Sequence, residues 1–232
     1  RNMKTGYKVL TALLAASVFL WAVTTLMTPS MDRWGATDAE VRAHFPGDEL
    51  VPSPARFMNR AISIAATPEQ IYPWLLQLGA GKGGLYSYTT VEKLIGCPLQ
   101  NAERIEPSWQ HLQVGDLVKM CPSEPATPPY IVAQLIPNRA LVMGHREHDR
   151  WVDLWQFVLV PQPEGGTRLI LRTRTMMVGG MWDVIRPFVF VMERGLLRGV
   201  KERAERLASG RSGEHAHLRS VHTDPSVANV GA

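Results

Sequence analysis

The sequence predicts an α+β domain in which a curved antiparallel sheet is covered on its apolar face by a long C-terminal helix. Three observations predict it. Segments of strand period follow one another closely from residue 117 to residue 176, with Pro, Gly and Asn between them. These connections are too short for parallel crossovers, so neighbouring strands run antiparallel. After them, from about Pro187 to Leu207, Val189, Met192, Leu196, Val200, Ala204 and Leu207 recur at helical spacing on one face. A sheet with one apolar face needs such a cover.

Composition narrows the class. The chain has 232 residues, 45% of them hydrophobic and 20% charged, which is enough apolar material for a sizeable core. Two Cys exclude a disulfide-rich scaffold. A net charge of +4 is too small an excess to imply a nucleic-acid partner.

Val9 to Thr28 carries no charged residue. As a helix this run spans roughly 30 Å, the hydrocarbon thickness of a bilayer. Arg1, Lys4 and Lys8 precede it, and Tyr7 and Trp21 lie toward its ends. Residues 1–30 are therefore expected to be a transmembrane anchor, with the N-terminus cytoplasmic and the rest outside. A cleaved signal peptide is the rival, but no convincing small-x-small site follows.

Residues 31–55 read as a lead-in, with Thr37 and Glu40 forming a capping box and Pro46-Gly47 breaking the short helix. Residues 56–208 read as the domain. Arg56 to Ala65 is its first strand. Thr67 caps a helix with Pro68 at its first position, Gln70 completing a box, and Ile71, Trp74, Leu75 and Leu78 on one face. Pro73 should kink that helix.

Gly79-Ala80-Gly81-Lys82-Gly83-Gly84 matches G-x-G-x-x-G literally, but it follows a helix. A dinucleotide fingerprint follows a strand and opens a helix, so a flexible loop is expected instead. Thr90 to Ile95 is a second short helix. Strands follow at Leu117–Met120, Tyr130–Ile136, Ala140–Met143, Asp153–Val160 and Thr167–Met176. Residues 209–232 have almost no core formers and are expected to be disordered.

Several residues are candidates for chemistry. Glu92 could serve as a general base if buried; a solvated helix-surface carboxylate is the more ordinary reading. Tyr88 and His111 are weaker catalytic candidates. On the fifth strand Trp155 and Phe157 share an inward face. On the last strand Leu171 and Thr173 look inward, while Arg168, Arg172 and Arg174 are expected to be solvated. His145 to Asp149 is expected to be a charged surface loop rather than a metal site. Gly195 and Gly199 beside the helical stripe fit either space for a ligand or close packing. Cys97 and Cys121 fit either a disulfide or two buried thiols.

The order of elements resembles the helix-grip fold of the START-like (SRPBCC) superfamily, which includes polyketide cyclases, aromatase-type proteins and pollen-allergen-type lipid carriers. Particular segments are similar to a bacterial group of often membrane-anchored START-like proteins. They are Pro46-Gly47-Asp48-Glu49-Leu50-Val51-Pro52, Pro73-Trp74-Leu75 through Gly83-Gly84-Leu85-Tyr86-Ser87-Tyr88, Asn101-Ala102-Glu103-Arg104-Ile105, Val114-Gly115-Asp116 and Phe190-Val191-Met192-Glu193-Arg194. One departure is Thr89-Thr90, where the group has an acidic residue and an aromatic.

The resemblance covers about Trp34 to Leu207. It implies a cavity between sheet and C-terminal helix that takes a hydrophobic small molecule or lipid, and it implies no cofactor. The cavity residues expected are Tyr86, Tyr88, Trp155, Phe157, Leu171, Thr173, Met192 and Leu196. An enzyme of cyclase, dehydratase or hydrolase type in the same cavity is the alternative expectation.

Overall fold

The computed structural model describes residue 8 and residues 26–122, 128–179 and 181–210, the side chains of 181–183 apart. Most of the apolar run Val9 to Thr28 and the tail from 211 lie outside the described residues. Among the described residues no helix is long and apolar enough to cross a membrane.

Six strands form one antiparallel sheet: β1 (Arg56–Ile64), β2 (Leu117–Val118), β3 (Tyr130–Ile136), β4 (Ala140–Glu147), β5 (Arg150–Pro161) and β6 (Thr167–Thr175). Their order is β1-β6-β5-β4-β3-β2, so only the β1–β6 pairing is non-sequential. Among the described residues, the α-helices that accompany them in the domain include α1 (Asp38–Arg42), α2 (Pro68–Leu76), α3 (Thr89–Leu94) and α4 (Met181–Ala208). Both expected capping boxes form, Thr37 with Glu40 and Thr67 with Gln70. Helix α4 starts a turn and a half before Pro187 rather than at it, forgoing one backbone hydrogen bond inside the helix.

The inner face of the sheet carries the main core. Phe157, Leu159, Leu169 and Leu171 pack there against Ile71 and Leu75 of α2 and against Leu196, Leu197, Val200 and Ala204 of α4. Gly195 and Gly199 make this approach close. A Cβ at Gly199 would stand 2.0 Å from the Tyr86 carbonyl oxygen, and one at Gly195 would stand 2.8 Å from the Tyr88 ring. At these two positions the structure favours close packing over ligand space.

The outer face corrects an expectation. The row Arg168, Arg172 and Arg174 is covered rather than solvated, because residues 31–55 run across it and bring acceptors. Arg172 is 1% exposed. Its guanidinium donates to Asp48 Oδ2 at 2.6 Å, Asn59 Oδ1 at 2.8 Å and the carbonyls of Glu40 and Ala43 at 2.7 and 2.9 Å. Phe45 and Phe57 flank it at 4.4 and 4.9 Å. Arg168 pairs with Glu40 at 2.8 Å, and Arg174 donates to the carbonyls of Val51 and Pro52. A buried guanidinium is costly unless its donors are met, and here five acceptor oxygens come from chain segments more than 100 residues apart in sequence.

The Gly79–Gly84 segment closes on itself, each terminal glycine donating to the other's carbonyl at 2.9 and 3.0 Å. It is a tight turn joined to Lys119 by the Ala80 amide at 2.8 Å. Cys97 and Cys121 are disulfide-bonded, tying the segment after α3 to the connection between β2 and β3.

Two outcomes test this architecture. Asp48→Ala strands the buried Arg172 charge and should lower stability in urea by about 3–5 kcal/mol. Gly199→Ala should also destabilise, although alanine gains about 1 kcal/mol in helix propensity, because overpacking against the Tyr86 backbone costs about 1–3 kcal/mol.

Candidate functional site

Helix α4 has two zones. Its C-terminal half fills the concavity of the sheet. Its N-terminal half, with Phe188, Val189 and Met192, stands off and leaves a cavity of about 740 Å³. The opposite walls come from Glu92 of α3 and Ile95 just after it, the Cys97–Cys121 disulfide, Leu117 and Tyr130 at the β2–β3 edge, and Trp155 of β5. Most of this lining is apolar, as in pockets that bury small molecules.

The polar groups in the wall are few and mostly engaged. Glu193 on α4 forms a buried ion pair with Arg60 of β1 and accepts from Trp155 Nε1 at 3.0 Å. Burial pulls the Arg60 guanidinium down to about 10, so it stays charged at neutral pH. Its Nε also donates to the Met31 carbonyl at 2.9 Å, and Asp32 stands at 3.9 Å. One cluster thereby joins lead-in, sheet and helix at the level where packed core gives way to cavity.

A second group sits at the β4–β5 hairpin. His145 and Asp153 are cross-strand partners, next to a register shift between His145 and Arg146. His145 Nδ1 lies 3.1 Å from Asp153 Oδ2, and Nε2 lies 3.1 Å from the Pro128 carbonyl oxygen. This corrects the expected surface loop: the strand runs through Glu147, and His145 lies in the cavity wall. Alternation along the paired strands turns it inward. The Tyr130 ring lies against the His145 ring, centroids 4.1 Å apart. Burial, then the neighbouring Asp153 carboxylate, holds the Tyr130 hydroxyl well above its ordinary value.

Burial alone would lower the His145 value. The hydrogen bonds to Asp153 and Pro128 and the Asp153 charge outweigh it, and the net shift is upward. Both ring nitrogens face acceptors, so the imidazolium satisfies both partners at once.

Glu92 is the third group. It is 1% exposed, not a solvated helix carboxylate. The segment before α3 explains why. Asn101 Oδ1 accepts from the Tyr86 amide at 2.7 Å, and Asn101 Nδ2 donates to the Ser87 carbonyl at 3.2 Å. Residues 86–88, pinned there, press on the glycines of α4 and bring the Ser87 hydroxyl to donate to Glu92 Oε1. Among the described residues, Glu92 Oε2 has no hydrogen-bond partner. Burial pushes the Glu92 carboxyl up against the opposing effect of Ser87.

The structure distributes the sequence candidates unevenly. Trp155, Met192 and Glu92 line the cavity, and Thr173 lines a small recess that shares Tyr130, Trp155 and Glu193 with its wall. Tyr86, Phe157, Leu171 and Leu196 are packed in the core, where Tyr86 donates to the Trp74 carbonyl at 3.1 Å. Tyr88 lies in an outer groove beside Gly195, and His111 is exposed away from the cavity. Sequence reading passed over Arg60, Tyr130 and Glu193. Arg60 carried one signal, a charge in register with Met58, Ile62 and Ile64 on the inward face. Among the described residues no three potential ligands are gathered for a metal ion.

Fold and cavity together define an α+β domain in which sheet and terminal helix enclose an apolar chamber. No family model matches the chain, and no curated protein matches it. Solved structures similar to it include the Aha1 dimer from Colwellia psychrerythraea, at 19% identity over 65% of this chain and 96% of that one, with a TM-score of 0.41. A structural-genomics protein from Chromobacterium violaceum is similar at 14% identity over 65% of this chain and 98% of that one, with a TM-score of 0.40. A third, from Mesorhizobium loti, has 16% identity over 65% and 98%, with a TM-score of 0.38.

The His145 arrangement predicts a pH dependence. Its folded-state value lies above the ordinary 6.5. The stabilisation is therefore complete below the unfolded value and is lost as pH rises through the folded one. Thermal melts between about pH 6 and 8 should show stability falling with pH, with a flatter profile in His145→Ala.

Proposed function

We propose that this protein is a membrane-tethered domain that binds a hydrophobic small molecule or lipid in the cavity between its sheet and the N-terminal half of α4. The observation that carries this reading is the cavity itself: about 740 Å³, walled mostly by aliphatic and aromatic side chains, with Glu193 paired to Arg60 and His145 to Asp153. That size suits a ligand of drug or lipid-fragment dimensions. The uncharged run from Val9 to Thr28 supports the tether, and the Lys/Arg bias before it supports a domain on the extracytoplasmic side. The Cys97–Cys121 disulfide suits an oxidising compartment on that side.

The alternative is a cyclase, dehydratase or hydrolase acting on an apolar substrate in the same cavity. Glu92, buried in the wall with one oxygen unpartnered, favours it as a general acid or base. Against it, His145 has both ring nitrogens occupied, and no nucleophile–base–orienter set is present among the described residues.

A blocking substitution tests the binding reading. In the full chain reconstituted in lipid nanodiscs, Met192→Trp should weaken binding of an environment-sensitive naphthalene dye by about tenfold or more by filling the cavity. Leu94→Trp, at an exposed position outside the lining, should leave it unchanged. Equal affinity of wild type and Met192→Trp would overturn the proposal.

A further inference from the structure

Among the described residues, the wall of the 740 Å³ cavity contains a buried carboxyl oxygen that neither a hydrogen bond nor an ion pair engages. Glu92 is 1% exposed and lines the cavity, and its Oε2 has no partner. Its other oxygen, Oε1, accepts from the Ser87 hydroxyl. A buried carboxylate left in this state would be expensive, because an unpaired charge in an apolar wall loses its hydration. A carboxylic acid is not: Oε1 serves as acceptor for Ser87, and the proton resides on Oε2 as a donor with nothing to receive it.

We propose that Glu92, carrying its proton, is the polar recognition point of the cavity, donating from Oε2 to an acceptor oxygen, a carbonyl or hydroxyl, on an otherwise apolar and uncharged ligand. This rests on the cavity being a binding site, and it adds the ligand's chemical class. The surroundings argue for a neutral partner. Burial pushes the Glu92 carboxyl toward its protonated form, and no basic side chain opposes that push. The other buried or half-buried ionisable groups of the wall are engaged, Glu193 by Arg60 and His145 by Asp153, while Arg146 and Glu147 are exposed to solvent. A cationic ligand would require Glu92 to ionise and two charges to be desolvated together, whereas a neutral hydrogen bond costs only the hydration of two polar groups. Ser87 is a positioning residue in this arrangement: with its hydroxyl donating to Oε1, the proton is left to Oε2.

The same logic makes the ligand class testable with three probes on one skeleton: acetylnaphthalene, ethylnaphthalene and naphthylethylamine. Binding is measured by fluorescence on the full chain in nanodiscs, with empty nanodiscs as the partition blank. The expected result is that wild type prefers the acetyl to the ethyl compound and binds the amine weakest. Glu92→Leu should lower the acetyl-to-ethyl affinity ratio about fivefold, the worth of one hydrogen bond. Glu92→Gln, which keeps a donor of the same shape, should retain most of that ratio. Should the leucine variant fail to fold, the order of the three probes on wild type and on Glu92→Gln decides by the same ratios.

Acetyl and ethyl compounds that bind equally to wild type would overturn the assignment of Glu92 and leave the cavity reading standing. So would an amine that binds tightest and is lost in Glu92→Gln, since that behaviour belongs to an ionised carboxylate. If none of the three probes binds wild type, the cavity reading itself fails and this inference falls with it.

Discussion

The buried pairing of Arg60 with Glu193 is the interaction on which the rest of the structure turns. Arg60 sits on β1, 1% exposed, on the same face as Met58, Ile62 and Ile64. Its guanidinium meets Glu193 on α4 and the Met31 carbonyl, with Asp32 near it. Glu193 in turn holds Trp155 of β5. Two strands, the terminal helix and the lead-in therefore converge on one charged contact. Such a pair adds little net stability over an apolar equivalent, but removing one partner leaves the other charge buried and unmet. Its value is positional. It marks the level along α4 where packing against the sheet ends and the cavity begins, and it fixes Trp155 as the wall between them.

Both faces of the sheet are covered, by different physics. The inner face is closed by apolar contact with α2 and α4. The outer face is closed by residues 31–55, which lie over a row of arginines and satisfy their donors largely with backbone carbonyls. Arginine suits this role because its fork meets several acceptors at once and its plane packs on Phe45 and Phe57. Such a cover depends on geometry rather than on hydrophobic pattern, and a pattern of alternating arginines looks the same whether water or carbonyl oxygens receive it.

The cavity exists because α4 approaches the protein closely at one end and not at the other. Gly195 and Gly199 let its middle lie on residues 86–88, and that contact delivers Ser87 to Glu92. Packing and chemistry are thus coupled through one short segment. What remains open to a ligand is a mostly apolar chamber with an unpartnered carboxyl oxygen of Glu92 in its wall, a combination suited to selecting one oriented apolar molecule rather than to grasping a charged one.

Much of this protein follows from its sequence alone. The α+β class, the antiparallel meander, the long terminal helix and both capping boxes were legible because they rest on local rules: residue period, turn chemistry and cap geometry. Strand ends and the start of α4 were less legible, since pairing partners and tertiary contact set them. The turn at Gly79–Gly84 could be separated from a nucleotide motif by its place after a helix. Only the tertiary structure decided what the charged residues do. Arg172, Glu92 and His145 each look like surface residues in sequence, yet Arg172 and Glu92 are buried and His145 half-buried, each held by a partner that the fold turns toward it: Asp48, Ser87 and Asp153. The burial of an ionisable group depends on the acceptor or donor it finds, and the sequence does not display that partner beside it.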